Sequence, residues 1–434
     1  MGFRGFCWVP GVLASIMSFY SVAYFLIHCV MAHSGLYLLY YGDFTHHISE
    51  YYLYDSFSFY MTLGSIFFVM VIFSWSGSKI SDKFLPIVML SVSVGFSIVS
   101  FCCHHALLFW GVYELTILPL LFLVLWWSPY SERYTAFVYF SSYLFFTSLP
   151  VLVGVLWFSM KSGHYNASLW VVDGGYDRVM MLLMGVAFIT KIPLPPFHVW
   201  LPLVHAEAST AVSICLSGYV MKMGVFGIFR LCGPALPDKI FSYPYVCVVL
   251  LFSLVFFFSA VCELDGKRWL AFLSLGHIAI VPLGVYVMDF SSQSVVFIYC
   301  LGHGLSAALG FKLLSILGSE KGSRNWLLLK GANEGSGLLC HLLIWFFVVV
   351  SGFPFTLQFF GDVTFIILSK KFGYIPLLLV AMFIFLSGII PMVLLGGLVV
   401  RRENTASRVP PSVLWGLPSL VVLGVWNFGL FLLC

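Results

Sequence analysis

The chain has 434 residues, 61% of them hydrophobic and only 9% charged, with a net charge of +4 and a mean hydropathy of +1.03. A soluble domain carries about 25% charged residues, so this composition cannot cover a water-facing surface. No basic tract points to nucleic acid, and the eleven cysteines include no C-x-x-C pair, which argues against zinc, iron–sulfur or thioredoxin chemistry.

Apolar runs of the length that crosses a bilayer recur to the end of the sequence. In chain order they fall near 8–32, 57–77, 84–102, 105–127, 135–158, 178–200, 208–232, 243–262, 268–288, 294–318, 338–369, 374–400 and 412–433, predicting thirteen spans in a single transmembrane domain over 1–434. The first run is long enough to span and reads as a membrane helix rather than a cleavable signal. The polar stretches 33–56 and 159–177 are rich in Tyr, Trp and His, as expected at a membrane interface. None of the connections could form a soluble domain.

Charge placement fits this layout. If the loops alternate sides, twelve cations (Arg4, Lys79, Lys83, Arg133, Lys267, Arg268, Lys321, Arg324, Lys330, Arg401, Arg402 and Arg408) share one side. Six (Lys161, Arg178, Arg230, Lys239, Lys370 and Lys371) share the other. By the positive-inside rule, the twelve and the N-terminus face the electronegative compartment. Lys191, Lys222 and Lys312 remain within spans.

Lys191 is the most informative of the three. It ends an apolar helix that breaks at once in Ile-Pro193-Leu-Pro195-Pro196-Phe-His198-Val-Trp-Leu-Pro202. A cation at membrane depth costs roughly 3 kcal/mol on insertion scales, so it is expected to face a bundle interior or a wet cavity. Prolines remove backbone donors, and an interrupted helix is tolerated in a bilayer only where protein or water covers the gap. Two carboxylates, Glu114 and Asp362, lie within apolar segments, the latter after a second interruption at Ser351-Gly-Phe-Pro354. An acid beside Lys191 would favour the charged amine, so moving that acid would switch proton affinity. Lys222, near the middle of its span, reads as a central station. His198 and His205 flank the first break, and His277 and His303 lie mid-span; imidazole relays protons near neutral pH. Static roles stand beside these: snorkelling for Lys312, helix-fixing ion pairs for the acids, and hydrogen-bonded core positions for single histidines. Paired axial histidines for bis-haem binding and phosphate-binding glycine loops are both missing from the sequence.

Taken together, these segments resemble the antiporter-like membrane subunits of respiratory complex I, a family shared with multisubunit cation/proton antiporters. The resemblance covers roughly 50–400 and rests on Tyr54-Asp55-Ser-Phe-Ser, Tyr113-Glu114-Leu with Pro119, Glu132-Arg133-Tyr-Thr-Ala, and Ser148-Leu-Pro150. Its strongest block is Lys191-Ile-Pro-Leu-Pro-Pro-Phe-His198-Val-Trp-Leu-Pro202-Leu-Val-His205-Ala-Glu207-Ala, followed by Met221-Lys222-Met-Gly-Val. Asp265-Gly-Lys267-Arg and His303-Gly-Leu-Ser-Ala-Ala complete it. Within the family, an acid at the second broken helix points to the chain 4 branch, since the chain 2 and chain 5 branches carry lysine there.

The resemblance implies an all-α polytopic fold of two inverted five-helix repeats, each with one discontinuous helix. These would occupy about 84–232 and 243–400, preceded by helices to about 83 and followed by one from 412. It implies a proton path with Glu114 and Lys191 as coupling pair, Lys222 central, His303 as bridge and Asp362 on the exit side. His198, His205, Glu207 and His277 would support it. NADH, FMN, iron–sulfur clusters and ubiquinone would be bound by other subunits, with no cofactor or metal in this chain. Partners would be the other membrane-arm subunits, especially neighbouring antiporter-like chains, together with lipids and no nucleic acid. The location implied is the mitochondrial inner membrane, in preference to a bacterial plasma membrane. Departures from the family pattern are one span fewer than the usual fourteen, Asp in place of Glu at 362, Ser209 in place of proline, and Lys312 at a normally apolar position.

Overall fold

In hydrocarbon every backbone polar group must find its partner within the chain, and an α-helix does so locally. The computed structural model describes residues 47–48, 50–73, 80–233, 241–287, 290–329, 337–399 and 411–430, and these form an all-α membrane fold. The helices are α1 (Ser56–Phe73), α2 (Ile80–Cys102), α3 (Ala106–Trp127), α4 (Arg133–Ser162) and α5 (Gly175–Lys191). They continue as α6 (Trp200–Glu207), α7 (Thr210–Cys232, with two wider π turns), α8 (Tyr243–Cys262), α9 (Gly266–Ile278) and α10 (Val281–Val287). Apart from single turns such as Trp326–Leu329, the rest are α11 (Phe290–Lys321), α12 (Gly337–Val350), α13 (Leu357–Lys370), α14 (Tyr374–Val399) and α15 (Pro411–Gly429). Among the described residues, eight helices are long and apolar enough to cross a membrane unaided. The predicted span at 8–32 lies outside the described residues. A short antiparallel ribbon pairs His47 with Tyr54 and Ile48 with Leu53.

Burial sorts the helices. The apolar stretch of α7 is 100% buried and those of Gly266–Tyr286 (α9 with α10) and α11 89%, against 33% for α4 and α14. The first three form the centre and the last two face outward, which is why polar side chains on α7, α9 and α11 must find partners within the protein. Small residues permit the close approach. A Cβ on Gly218 of α7 would lie 2.7 Å from the Phe68 ring of α1, one on Gly304 of α11 3.2 Å from it, and one on Gly227 2.3 Å from Phe188 of α5. Glycine at helix crossings is the usual device for dense packing in bilayers.

Both expected interruptions are present. After α5 the chain runs irregularly through Pro193, Pro195 and Pro196 before α6, and the freed carbonyls are taken up locally. The Trp200 indole donates to Thr190 O at 3.0 Å, and Tyr245 OH donates to Pro195 O at 3.0 Å. Between α12 and α13 the chain turns through Gly352 (φ 65°) and Phe355 (φ 73°), and the Thr356 hydroxyl caps α13 by accepting from Phe359 N at 3.3 Å.

Polar contacts gather at two faces. On one, His104 N donates to Tyr51 O at 2.8 Å and Ala106 N to Tyr165 O at 2.9 Å, while Arg230 pairs with Asp55 at 2.9 Å. On the other, Lys267 donates to Ala208 O at 2.7 Å, Arg324 pairs with Asp265 at 3.0 Å, and the Ser128 hydroxyl bonds Glu207 O. Arg230 thus sits in one cluster, and Lys267 and Arg324 in the other.

Candidate functional site

The site is a series of buried ionisable groups between these two faces. At one end, Lys191 closes α5 and reaches across to α3, donating to Glu114 Oε1 at 3.0 Å. The two partners differ in environment: the Lys191 side chain is 4% exposed and that of Glu114 is 22% exposed. Glu114 lies within an apolar helix, as read from the sequence, but its side chain is partly exposed. The Lys191 ammonium also sits 3.8 Å from the centre of the Tyr113 ring.

At the centre, Lys222 of α7 is completely enclosed. Its ammonium bonds Ser217 O, one turn earlier on its own helix, and donates to His303 Nδ1 of α11 at 2.9 Å. The His303 and His277 rings lie 5.9 Å apart, carrying the series from α11 to α9. His277 Nδ1 then accepts from Gln358 Nε2 of α13 at 2.7 Å, and Tyr299 OH donates to His277 O at 3.2 Å. Ser306 ties the same node together, donating to His303 O at 3.0 Å and to Gln358 Oε1 at 3.4 Å. One turn beyond Gln358 on α13, Asp362 is buried, its Oδ1 without a hydrogen-bond partner. Its Oδ2 lies against Gly352 at the helix break, 2.8 Å from where a Cβ there would stand.

The other predicted residues divide. His205 is buried, stacked on Phe311 at 5.0 Å, with both ring nitrogens unpartnered and Lys267 and Lys222 as its electrostatic neighbours. Glu207 ends α6 at the polar face, where burial pushes its carboxyl up and the Arg324 guanidinium pulls it back. His198 is half-buried against Phe256, ring centres 4.8 Å apart, with an unpartnered Nδ1, and its ring neighbours Phe252 and Phe256 are not part of the Lys222–His303–His277 node. Lys312 is buried rather than stretched toward the surface.

At the opposite end of α5, Asp177 secures the helix that delivers Lys191. It bonds Lys161, accepts from the Trp157 indole at 3.0 Å and from the Asp173 and Gly174 amides at 3.2 and 3.3 Å. The Lys161 ammonium, then the Trp157 indole, hold its carboxyl down at about 2.

Residues 103–390 match the family described as NADH:quinone oxidoreductase/Mrp antiporter, TM. That is well over half of the chain. The chain belongs to this antiporter family. NADH-ubiquinone oxidoreductase chain 4 of Locusta migratoria is 27% identical over 308 residues, covering 70% of this chain and 69% of that one. Chain 4 of Chondrus crispus is 25% identical over 332 residues, covering 71% and 66%. The aligned stretch thus spans about two thirds of these relatives' own length. NADH-quinone oxidoreductase subunit M of Escherichia coli K12 is 29% identical over 211 residues, 48% of this chain and 41% of that one. Among solved structures, a chain of respiratory complex I from Thermus thermophilus with bound NADH superimposes with TM-score 0.76 at 20% identity, covering 87% of this chain and 82% of that one. A chain of the Mrp complex from Dietzia sp. superimposes at 0.80 and 17% identity, covering 98% and 93%. At these identities the superpositions establish the fold.

In this antiporter-family chain, sequence reasoning missed Gln358, Tyr299 and Ser306, which build the node around His277. The signal for Gln358 was its position four residues before Asp362, which places both on one face of α13. Tyr299 and Ser306 are neutral and offered no comparable signal.

Proposed function

We propose that this chain is a proton-translocating membrane-arm subunit of NADH:ubiquinone oxidoreductase, of the chain 4 kind. The observation that carries the reading is the enclosed node Lys222–His303–His277–Gln358 on four different helices, with an ion pair at one end and, at the other, a buried acid whose Oδ1 has no hydrogen-bond partner. Purely structural charges would be expected to pair off; here amines, imidazoles and a carboxyl lie in series at depths where water is scarce. Chain 4 relatives and complex I neighbours support the assembly in which it works.

On this reading, Glu114 and Lys191 form the coupling pair. When Glu114 releases Lys191, the ammonium changes the potential at Lys222, which passes its proton to His303. His277, oriented by the Gln358 amide, carries it toward Asp362. His205, between Lys267 and Lys222, is placed to resupply the central amine, with Glu207 at the polar face beyond. Electron transfer by NADH, FMN, iron–sulfur clusters and ubiquinone takes place on other subunits. Two inverted repeats, about 84–232 and 243–400, would each hold one of the broken helices. The membrane would be the mitochondrial inner membrane, with neighbouring antiporter-like chains and lipids as partners.

Native separation of the source membrane, in-gel NADH dehydrogenase staining and mass spectrometry of the stained band test the assignment. This chain should appear there beside quinone-site and iron–sulfur subunits. Its presence only in a band without NADH activity would move the assignment to a cation/proton antiporter.

A further inference from the structure

Lys191 lies on the Tyr113 ring and beside a cavity lined by further rings. The cavity beside it, about 10 Å³, is lined by Tyr113, Phe140, Tyr143 and Trp200, and reaches Val220 of α7, two residues from Lys222. That is room for about one water. The rings are fixed independently of the lysine. Phe140 and Trp200 stack at 5.5 Å and 17°, the indole is pinned to Thr190 O, and Tyr113 stacks on Phe109 at 5.9 Å and 13°. Phe109 in turn packs on Phe226 of α7 at 5.9 Å, so this aromatic column faces the central helix. The Tyr113 hydroxyl is buried and has no hydrogen-bond partner.

An ammonium over an aromatic face is held by the ring quadrupole, and more strongly where water is excluded. A ring, unlike a carboxylate, stabilises the cation without being able to take its proton. We propose that this aromatic cage, which the Lys191 ammonium already touches while paired, is the seat that holds it alone when Glu114 lets go, with Tyr113 as the positioning residue that defines it. The inference rests on the proton-translocation reading. The more exposed Glu114 is the partner able to leave outward. Lys191, enclosed and already in contact with the Tyr113 face, is held on the inner side, on the flank nearer α7. The cage keeps the charge in the membrane at each separation of the pair, and keeps it close enough to Lys222 for its field to be felt there.

The test compares Tyr113→Phe with Tyr113→Leu and Tyr113→Met in the assembled complex, with Lys191→Met as control. The readouts are the proton-to-electron ratio, coupled NADH oxidation, and NADH oxidation by an artificial acceptor. Tyr113→Phe keeps the ring and should stay within about twofold of wild type, while the aliphatic variants lose roughly tenfold in coupled turnover, in line with a desolvated cation–π contact. Artificial-acceptor activity should not change. Equal behaviour of the Phe and aliphatic variants overturns the proposal. Failure of both aliphatic variants to assemble does so too, since Tyr113 is then a packing residue. Wild-type pumping in Lys191→Met would instead overturn proton translocation through this site, whereas its loss there with unchanged Tyr113→Leu removes only the second seat.

Discussion

The asymmetry of the Glu114–Lys191 pair makes a graded prediction. At 3.0 Å and an effective dielectric near 20, the attraction between the charges is about 5 kcal/mol. Desolvation of both groups offsets much of this, but removing one partner exposes the full cost of the charge left behind, typically about 3–5 kcal/mol when it is buried. Lys191 is far more enclosed than Glu114. Glu114→Gln therefore leaves a buried ammonium and should cost about 3 kcal/mol, after roughly 1 kcal/mol is recovered from the Tyr113 ring. Lys191→Met leaves a carboxylate that can reach a more polar surface and should cost about 1 kcal/mol, in the range of a weakly desolvated pair. The double variant leaves no uncompensated charge and should recover most of the loss, a coupling of about 3–4 kcal/mol. The assay is the thermal midpoint for retention of this chain in the purified complex, read by native electrophoresis after graded heating. The expected order is Glu114→Gln lowest, Lys191→Met intermediate, and the double variant near wild type. Equal losses for the two single variants, or additive loss in the double, would refute the reasoning.

Gln358→Leu removes the donor to His277 and the acceptor for Ser306 while nearly conserving volume. Losing the His277 bond, worth about 1.4 kcal/mol, together with the longer Ser306 contact should slow coupled turnover at least about tenfold with artificial-acceptor activity intact, and an unchanged coupled rate would exclude a role for Gln358 at this node. Gly227→Ala would press a methyl into Phe188 and should cost about 1–3 kcal/mol, lowering the amount of assembled complex; wild-type levels and heat stability would contradict the α5–α7 packing. Asp177 carries a depressed carboxyl pKa, so the stability it adds is present above its ordinary value of 3.8 and is lost as pH falls through about 2. The melting difference between wild type and Asp177→Asn should therefore be constant from neutral pH down to about 5 and shrink toward pH 2; a difference that shrinks between pH 8 and 6 would point to another group.

Much of this arrangement was legible before any coordinates. The spans could be read because bilayer thickness sets helix length, and the first break because prolines mark it in the residues themselves. Lys191, Lys222 and Asp362 stood out because a charge in an apolar run is costly anywhere and so draws attention. The partial exposure of Glu114 was not legible: α3 is apolar on all sides, so no polar stripe shows which face it turns outward. The node around His277 was hidden for a different reason. Gln358 lies 81 residues from His277, and Tyr299 and Ser306 are neutral residues of types common in membrane helices. Pairing of Lys222 with His303, also 81 residues apart, followed from the family resemblance and not from periodicity.

The central claim is that protons pass through the enclosed amine at the middle of the bundle. Lys222→Met tests it most directly, because the side chain is fully buried, nearly isosteric with methionine and held by Ser217 O and His303 Nδ1. Proton uptake and NADH oxidation should be measured together in proteoliposomes containing the assembled variant complex. The account predicts normal assembly and artificial-acceptor activity with a reduced proton-to-electron ratio. A wild-type ratio in the fully assembled variant would contradict it.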